Sequence, residues 1–214
     1  MNAKERIMQR LHAALDGNRP DLAQTLAERE RLLAGTAPRP QWSEDTEARF
    51  LDRLSAAAAS HEFVESREAL ASRAIAFLGD LPVRKLRIAP HELLRGLDWP
   101  ADWEVKQGVG GETDWPAAIT VAEAGVAETG TLVLPSGPET PSSLNFLPDY
   151  HLVVLRQGSI LPYLEDVWPR LREKALPRMV NLITGPSRTA DVEQTIQLGA
   201  HGPRSLHVLI LRES

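Results

Sequence analysis

Short apolar runs alternate with stretches of helical periodicity from about residue 61 to the end of the chain. The runs at 62–64, 86–89, 118–121, 131–134, 152–155, 180–183 and 206–211 are too short for buried helices and carry almost no polar positions, so they predict strands covered on both faces. Helical patterns over 66–78, with Ser66 as cap, and over 91–97, 160–175 and 188–198 fall between them. Alternating units of this kind predict an α/β domain, three layers in the order α/β/α around a mainly parallel sheet. The segment 135–148 interrupts the alternation with Pro135, Pro138, Pro141 and Pro148 among Ser, Gly and Thr, a long exposed loop of the sort that often carries function.

The first 60 residues read differently. Ile7, Leu11 and Leu15 form one helical stripe, and Leu22, Leu26, Leu32 and Leu33 form a second over 21–34. Two prolines near 38–40 break the pattern before a third helix over 44–59, for which Ser43 is the expected N-cap. Residues 1–42 are therefore expected to be a helical N-terminal arm and 43–214 the α/β domain. The arm has an apolar stripe to hide, on its own domain or on another subunit, which leaves a homo-oligomer open.

Composition narrows the function. The chain has no cysteine, so it offers no disulfide, no thiolate ligand for zinc or an iron–sulfur cluster, and no cysteine nucleophile. With 24 Lys+Arg against 29 Asp+Glu it carries a net charge of −5, which gives no overall field for nucleic acid or anionic lipid. Charges at Lys4, Glu5 and Arg6 stand where a secretion signal needs apolar residues, and no run approaches the roughly 18 apolar residues of a membrane span. A cytoplasmic protein without membrane or nucleic-acid partners is expected. His12, His61, His91 and His207 show no metal-ligand spacing, and no metal site is expected. His151 reads as a strand-start residue packed near the core, and Trp99, Trp103 and Trp115 as packing residues.

Two segments carry chemistry. In Gly125-Val-Ala-Glu-Thr-Gly-Thr131, Glu128 has a carboxylate suited to acid–base work, Gly130 permits a positive φ or close approach, and Thr129 and Thr131 bond either a ligand or the local backbone of a turn. In Ile183-Thr-Gly-Pro-Ser-Arg-Thr-Ala-Asp191, a strand runs through a polar turn into a predicted helix. Thr184, Gly185, Ser187, Arg188, Thr189 and Asp191 would then surround a helix N-terminus suited to an anion, with Arg188 as the cation. The same residues also satisfy a structural role, Ser187 as N-cap and Asp191 as a first-turn acid. His201, between Gly199-Ala and Gly202-Pro, is a candidate ligand contact or a plain turn residue. In open α/β sheets ligands sit outside the carboxyl ends of the strands, and both segments are expected there.

The text Ala127-Glu-Thr-Gly-Thr-Leu-Val-Leu134, with Leu147-Pro-Asp-Tyr-His-Leu-Val-Val154 and the closing Ile183-Thr-Gly-Pro-Ser-Arg-Thr-Ala-Asp-Val-Glu193 and Gly199-Ala-His-Gly-Pro-Arg-Ser-Leu-His207, resembles the LUD-domain family over about 60–214. The resemblance implies a fold similar to the sugar-phosphate isomerase (NagB/RpiA) and CoA-transferase-like superfamily. It also implies a place in a lactate utilization system that oxidises L-lactate to pyruvate with iron–sulfur partner proteins, the clusters residing on those partners and no cofactor on this chain. The expected role is an accessory or ligand-binding subunit holding a small anionic or acyl ligand, with Glu128 as the residue for any catalysis. The alternatives are a non-catalytic assembly protein that uses the helical arm, or a stand-alone isomerase or CoA-transferase-like enzyme.

Overall fold

The computed structural model describes residues 2–16, 21–34, 39–109, 115–173, 175–189, 197–198 and 202–212. Internal contacts divide the chain into two units, Met1–Trp42 and Ser43–Ser214. In the first, α1 (Ala3–Asp16) opens on a reciprocal cap. The Asn2 side-chain oxygen accepts from the Glu5 amide at 2.9 Å, and the Glu5 carboxylate accepts from the Asn2 amide at 2.8 Å. Next comes α2 (Leu22–Ala34), which starts after Asp21, whose carboxylate accepts from the Ala23 amide at 3.1 Å. The apolar stripes of both helices, Ile7, Leu11 and Leu15 and then Leu22, Leu26 and Leu32, are exposed. No described helix is long and apolar enough to cross a membrane.

The second unit holds α3 (Thr46–Ala56), β1 (Ser60–Val64), α4 (Ala69–Gly79), β2 (Lys85–Ile88), β3 (Glu104–Gln107), β4 (Ala117–Val121), β5 (Ala124–Val126), β6 (Thr131–Pro135), β7 (Tyr150–Arg156), β8 (Ile160–Leu161), α5 (Val167–Arg172), β9 (Val180–Ile183), β10 (Arg188–Thr189), β11 (Gln197–Leu198) and β12 (Ser205–Leu211). Six strands form one sheet in the order β1-β12-β7-β4-β2-β3 with every ladder parallel. The central strands are apolar nearly throughout because both faces are covered. On one face α4 packs Leu70, Ala74 and Leu78 against Ile119, Leu152, Val154 and Leu209.

The other face departs from the expected three layers. Val153, Leu155, Val208 and Ile210 meet Phe50 and Leu54 of α3 together with Leu132 and Leu134 of a second, four-stranded sheet, β8-β5-β6-β9. Outside that sheet Ala124, Val126 and Val133 pack on Val167 and Leu171 of α5. The order is thus helix, parallel sheet, mixed sheet with α3, helix. The connection between β5 and β6 explains it. Residues 127–130 are too few for the crossover that a parallel pair needs, so β6 folds back antiparallel on β5, and β9 then adds antiparallel to β6.

Two expected helix starts move slightly. Asp45, not Ser43, caps α3, accepting from the amides of Glu47 and Ala48 at 3.0 and 3.4 Å. Glu68, not Ser66, stands at the N-cap of α4. The C-terminus of α3 is closed by Ala58 at φ 63, with the Ala58 amide bonded to the Ser55 carbonyl and the Ala59 amide to the Leu54 carbonyl. This is the left-handed position that glycine normally fills. Ala58→Gly relieves a strain of roughly 1–2 kcal/mol while loosening the unfolded chain by about 0.4–1 kcal/mol. A net gain of about 0.5–1 kcal/mol in urea denaturation is the expected result.

Candidate functional site

The antiparallel ladder between β6 and β9 pairs Leu132 with Ile183, and so sets Thr131 beside Thr184. The hydroxyls of Thr129, Thr131 and Thr184 form a chain, 2.6 Å from Thr129 to Thr131 and 2.6 Å from Thr131 to Thr184. The two polar segments therefore meet, although 53 positions separate the paired hydroxyls. The glycines at this junction, however, face protein. Gly130, at φ +70, lies where an added Cβ would come within 2.5 Å of the Leu54 amide nitrogen, and Gly185, at φ +82, within 2.1 Å of the Ala57 carbonyl oxygen. Both turns are seated on the C-terminal end of α3.

Beside this junction lies a cavity of about 350 Å³ lined by Asn145, Phe146, His151, Leu182, Ile183, Thr184, Gly185, Ser187, Gly202, Pro203 and Leu206. Its volume falls at the small end of the range for small-molecule sites. The floor is apolar, and Thr184, Ser187, Asn145 and His151 supply the polar groups. Asn145 ends the short helical turn Ser142–Asn145 inside the proline-rich loop and Phe146 is its C-cap, which is how that loop reaches the site. Thr184, Gly185 and Ser187 are the sequence-predicted residues that line it.

His151 is fully buried. Its Nε2 lies 2.7 Å from the Thr120 hydroxyl, while Nδ1 has no hydrogen-bond partner among the described residues. Burial pushes the imidazole pKa down to about 3, so the ring is neutral at physiological pH. A neutral ring has one N–H and one lone pair. If Thr120 donates to Nε2, the proton sits on Nδ1 and offers a donor; if Nε2 donates, Nδ1 offers an acceptor. An unpaired nitrogen in a buried wall costs stability unless something meets it, and that makes His151 the most informative residue here. The sequence predicts it near the core, where it lies. A histidine in an otherwise apolar strand was the available signal; its unmatched atom was not visible.

The remaining predicted residues sit elsewhere. Glu128 is half-buried in the β5–β6 turn, with its amide donated to the Pro162 carbonyl at 3.0 Å, and it does not line the cavity. Arg188 is exposed on β10 and is likewise absent from the lining. The helix expected over 188–198 is not what the described residues form: β10 and β11 pair antiparallel, Arg188 with Leu198 and Thr189 with Gln197. Ser187 is therefore no helix cap. Its amide donates to the Pro203 carbonyl at 2.8 Å, so a tertiary contact directs the chain there. Asp191 and His201, and the side chain of Thr189, lie outside the described residues. The location also differs from the expected carboxyl edge of the parallel sheet. His151 and Leu206 are each the second residue of their strand, so the cavity opens at the amino ends of β7 and β12, beside the carboxyl end of β9. Among the described residues no group of three or more His, Asp or Glu is placed to hold a metal ion.

Residues 113–211 match the LUD domain model, a segment that contains every described residue lining the cavity. Over 181 residues the chain is 30% identical to the "Uncharacterized protein YkgG" of Escherichia coli (strain K12), covering 81% of this chain and 78% of that one. It is 36% identical over 98 residues to a lactate utilization protein C of Halalkalibacterium halodurans, covering 43% of each. With the lactate utilization protein C of Bacillus subtilis (strain 168) it shares 31% identity over 128 residues and 53% of each chain. The match thus spans about half the length, or less, of these lactate utilization proteins. A crystal structure of a DUF162 family protein from Deinococcus radiodurans superposes with a TM-score of 0.56 at 24% identity, covering 80% of this chain and 99% of that one, which bears on the fold. With the polar turns, both sheets and the cavity all built around the matched segment, the chain belongs to the LUD domain family.

Proposed function

We propose that this LUD domain protein is a ligand-binding subunit of a lactate utilization system, and that the cavity beside β7, β9 and β12 takes a small carboxylic acid or its acyl derivative. The observation that carries this reading is that His151, buried and with an Nδ1 that meets no hydrogen-bond partner among the described residues, is one of the residues lining this cavity. Asn145, Thr184 and Ser187 add hydrogen-bonding groups around the rim, and the Thr129–Thr131–Thr184 chain orients the Thr184 hydroxyl. The described residues that line the space carry no charged side chain, so among them a carboxylate would be held by neutral donors and by exclusion of water. The names of the similar lactate utilization proteins supply the pathway; the cavity supplies the size and polarity of the ligand. Because the chain has no cysteine, thiolate-bound iron–sulfur clusters of such a system would sit on partner chains. The likeness to sugar-phosphate isomerases and CoA transferases belongs to the same reading and suggests acyl compounds as candidates. Glu128 is a candidate for chemistry only with a ligand large enough to extend beyond the cavity.

Calorimetric titration with lactate, pyruvate and acetyl-CoA tests the proposal. Saturable binding of one of them, weakened roughly tenfold or more in His151→Gln through loss of a buried hydrogen bond, is expected. Absence of binding by all three, or equal binding by the variant, would overturn it. Lactate-dependent dye reduction by the partner proteins, with and without this chain, then separates necessity from catalysis.

A further inference from the structure

On the opposite face of the parallel sheet from that cavity, and independent of it, β1 and β12 bring together a hydroxyl, an imidazole and a carboxylate. The register pairs Ser60 with His207, and Glu62, two residues along β1, lies on the same face. The Ser60 hydroxyl is 2.8 Å from His207 Nδ1, and His207 Nε2 is 3.3 Å from the Glu62 carboxylate.

The carboxylate decides the tautomer. An ionised Glu62 only accepts, so Nε2 carries the proton and Nδ1 is left with the lone pair that accepts from the Ser60 hydroxyl. Three further contacts hold this order. Arg73 donates from Nε to Glu62 Oε2 at 2.7 Å and pairs through its Nη2 as well. Phe77 of α4 stacks on the imidazole, with ring centroids 4.0 Å apart and planes inclined by 9°. His207 is 6% exposed, and its burial lowers its pKa despite the opposing pull of Glu62, which keeps it neutral and able to take a proton. Ser60, by contrast, is exposed at the start of the strand.

The edge position of β1 contributes a further element. The Val64 carbonyl accepts from the Arg212 amide, so the backbone groups of Val64 and, by alternation, of Glu62 and Ser60 face β12. Those of His61 and Phe63 point toward the other side, where β1 has no strand neighbour among the described residues. The amide following the hydroxyl is thus directed away from the sheet, in the manner of a donor to an oxyanion.

We propose that Ser60, His207 and Glu62 form an acyl-transfer centre in which Ser60 is the nucleophile toward small, activated esters or thioesters that approach from solvent. Ser60 Oγ forms a bond to the acyl carbon while its proton passes to His207 Nδ1, and Glu62 stabilises the imidazolium. Collapse breaks the bond to the leaving alcohol or thiol, which departs with that proton. Water repeats the path on the acyl-serine ester, releasing the carboxylic acid and restoring the hydroxyl.

Incubation of the full chain with p-nitrophenyl acetate, followed by stopped-flow release of p-nitrophenolate and peptide mapping, tests this. A burst with the acetyl group on Ser60 is expected. Ser60→Ala should abolish the burst, and His207→Gln should slow it at least a hundredfold, as loss of a general base does. Glu62→Gln should slow the burst and alter its pH profile, because an amide can hold either tautomer. Thermal melts of each variant establish that it is folded, and the exposed Ser60→Ala keeps the test decisive should His207→Gln prove unstable. Acetyl groups found only on lysines or the amino terminus, or a burst of equal rate in folded Ser60→Ala, would overturn the proposal.

Discussion

Gly185→Ala is expected to cost about 3 kcal/mol or more in urea denaturation and to weaken ligand binding at the cavity. Two effects add. The backbone at φ +82 is left-handed, which costs an alanine roughly 1–2 kcal/mol relative to glycine. The new methyl would also stand 2.1 Å from the Ala57 carbonyl oxygen and 3.1 Å from its carbon. That carbonyl cannot retreat cheaply, because Ala57 is the C-cap of α3 and its amide is bonded to the Arg53 carbonyl at 3.0 Å. The turn must lift from the helix instead, carrying Thr184 and Ser187 with it. Gly137→Ala is the control: its Cβ would meet only the Thr140 hydroxyl, at 3.4 Å, without a positive φ. A change within about 0.5 kcal/mol is expected there. If the two variants have the same stability, the close seating of the turn on α3 is wrong.

Stability is expected to fall on the acid side of neutrality, with His151 as the largest contributor. In the unfolded chain its pKa is near 6.5, and in the folded protein about 3. Between those values the unfolded state binds the additional proton, so stability rises with pH through this window and is lost as pH falls below 6.5. The slope is about 1.4 kcal/mol per pH unit, which makes roughly 2 kcal/mol between pH 6.5 and pH 5. His91 and His207, both lowered by burial, act in the same direction. Comparing urea denaturation of the parent and His151→Gln at pH 7 and pH 5 isolates the single residue. The variant should lose about 2 kcal/mol less on acidification. Equal losses in both proteins would mean that His151 takes up its proton without unfolding.

The central strands of the parallel sheet were legible because burial on both faces writes itself into composition. The run 152–155 and the run 206–211 are apolar at every position except His207, and they lie in the middle of the sheet. Strands that differ in this respect were missed. β3, Glu104–Gln107, has one apolar residue and, among the described strands, β2 alone as a neighbour, so its composition is that of a surface loop. β5, Ala124–Val126, is small rather than strongly apolar, because the Phe50 ring and Leu155 lie against Gly125, where a Cβ would come within 2.9 Å of each. Its smallness reflects a partner that is distant in the chain. The short strands β10 and β11 stand at the two ends of the segment with helical spacing, and residues 190–196 between them lie outside the described residues.

By itself the sequence determined the α/β class, the thiol-free chemistry, the two polar turns and the family. These rest on local composition, on turn residues and on a long specific text, which neighbouring residues carry together. Only the tertiary structure decided that the second layer is a sheet, that Gly130 and Gly185 face α3, that Arg188 and Glu128 stand outside the cavity, and that His151 lies on its wall with one nitrogen unmatched. Each of these depends on groups far apart along the chain: Thr131 with Thr184, Gly185 with Ala57, Ser60 with His207. Periodicity reports which face of an element is apolar, but not which other element covers that face. Cavities and hydrogen-bond partners arise only when the covering is settled.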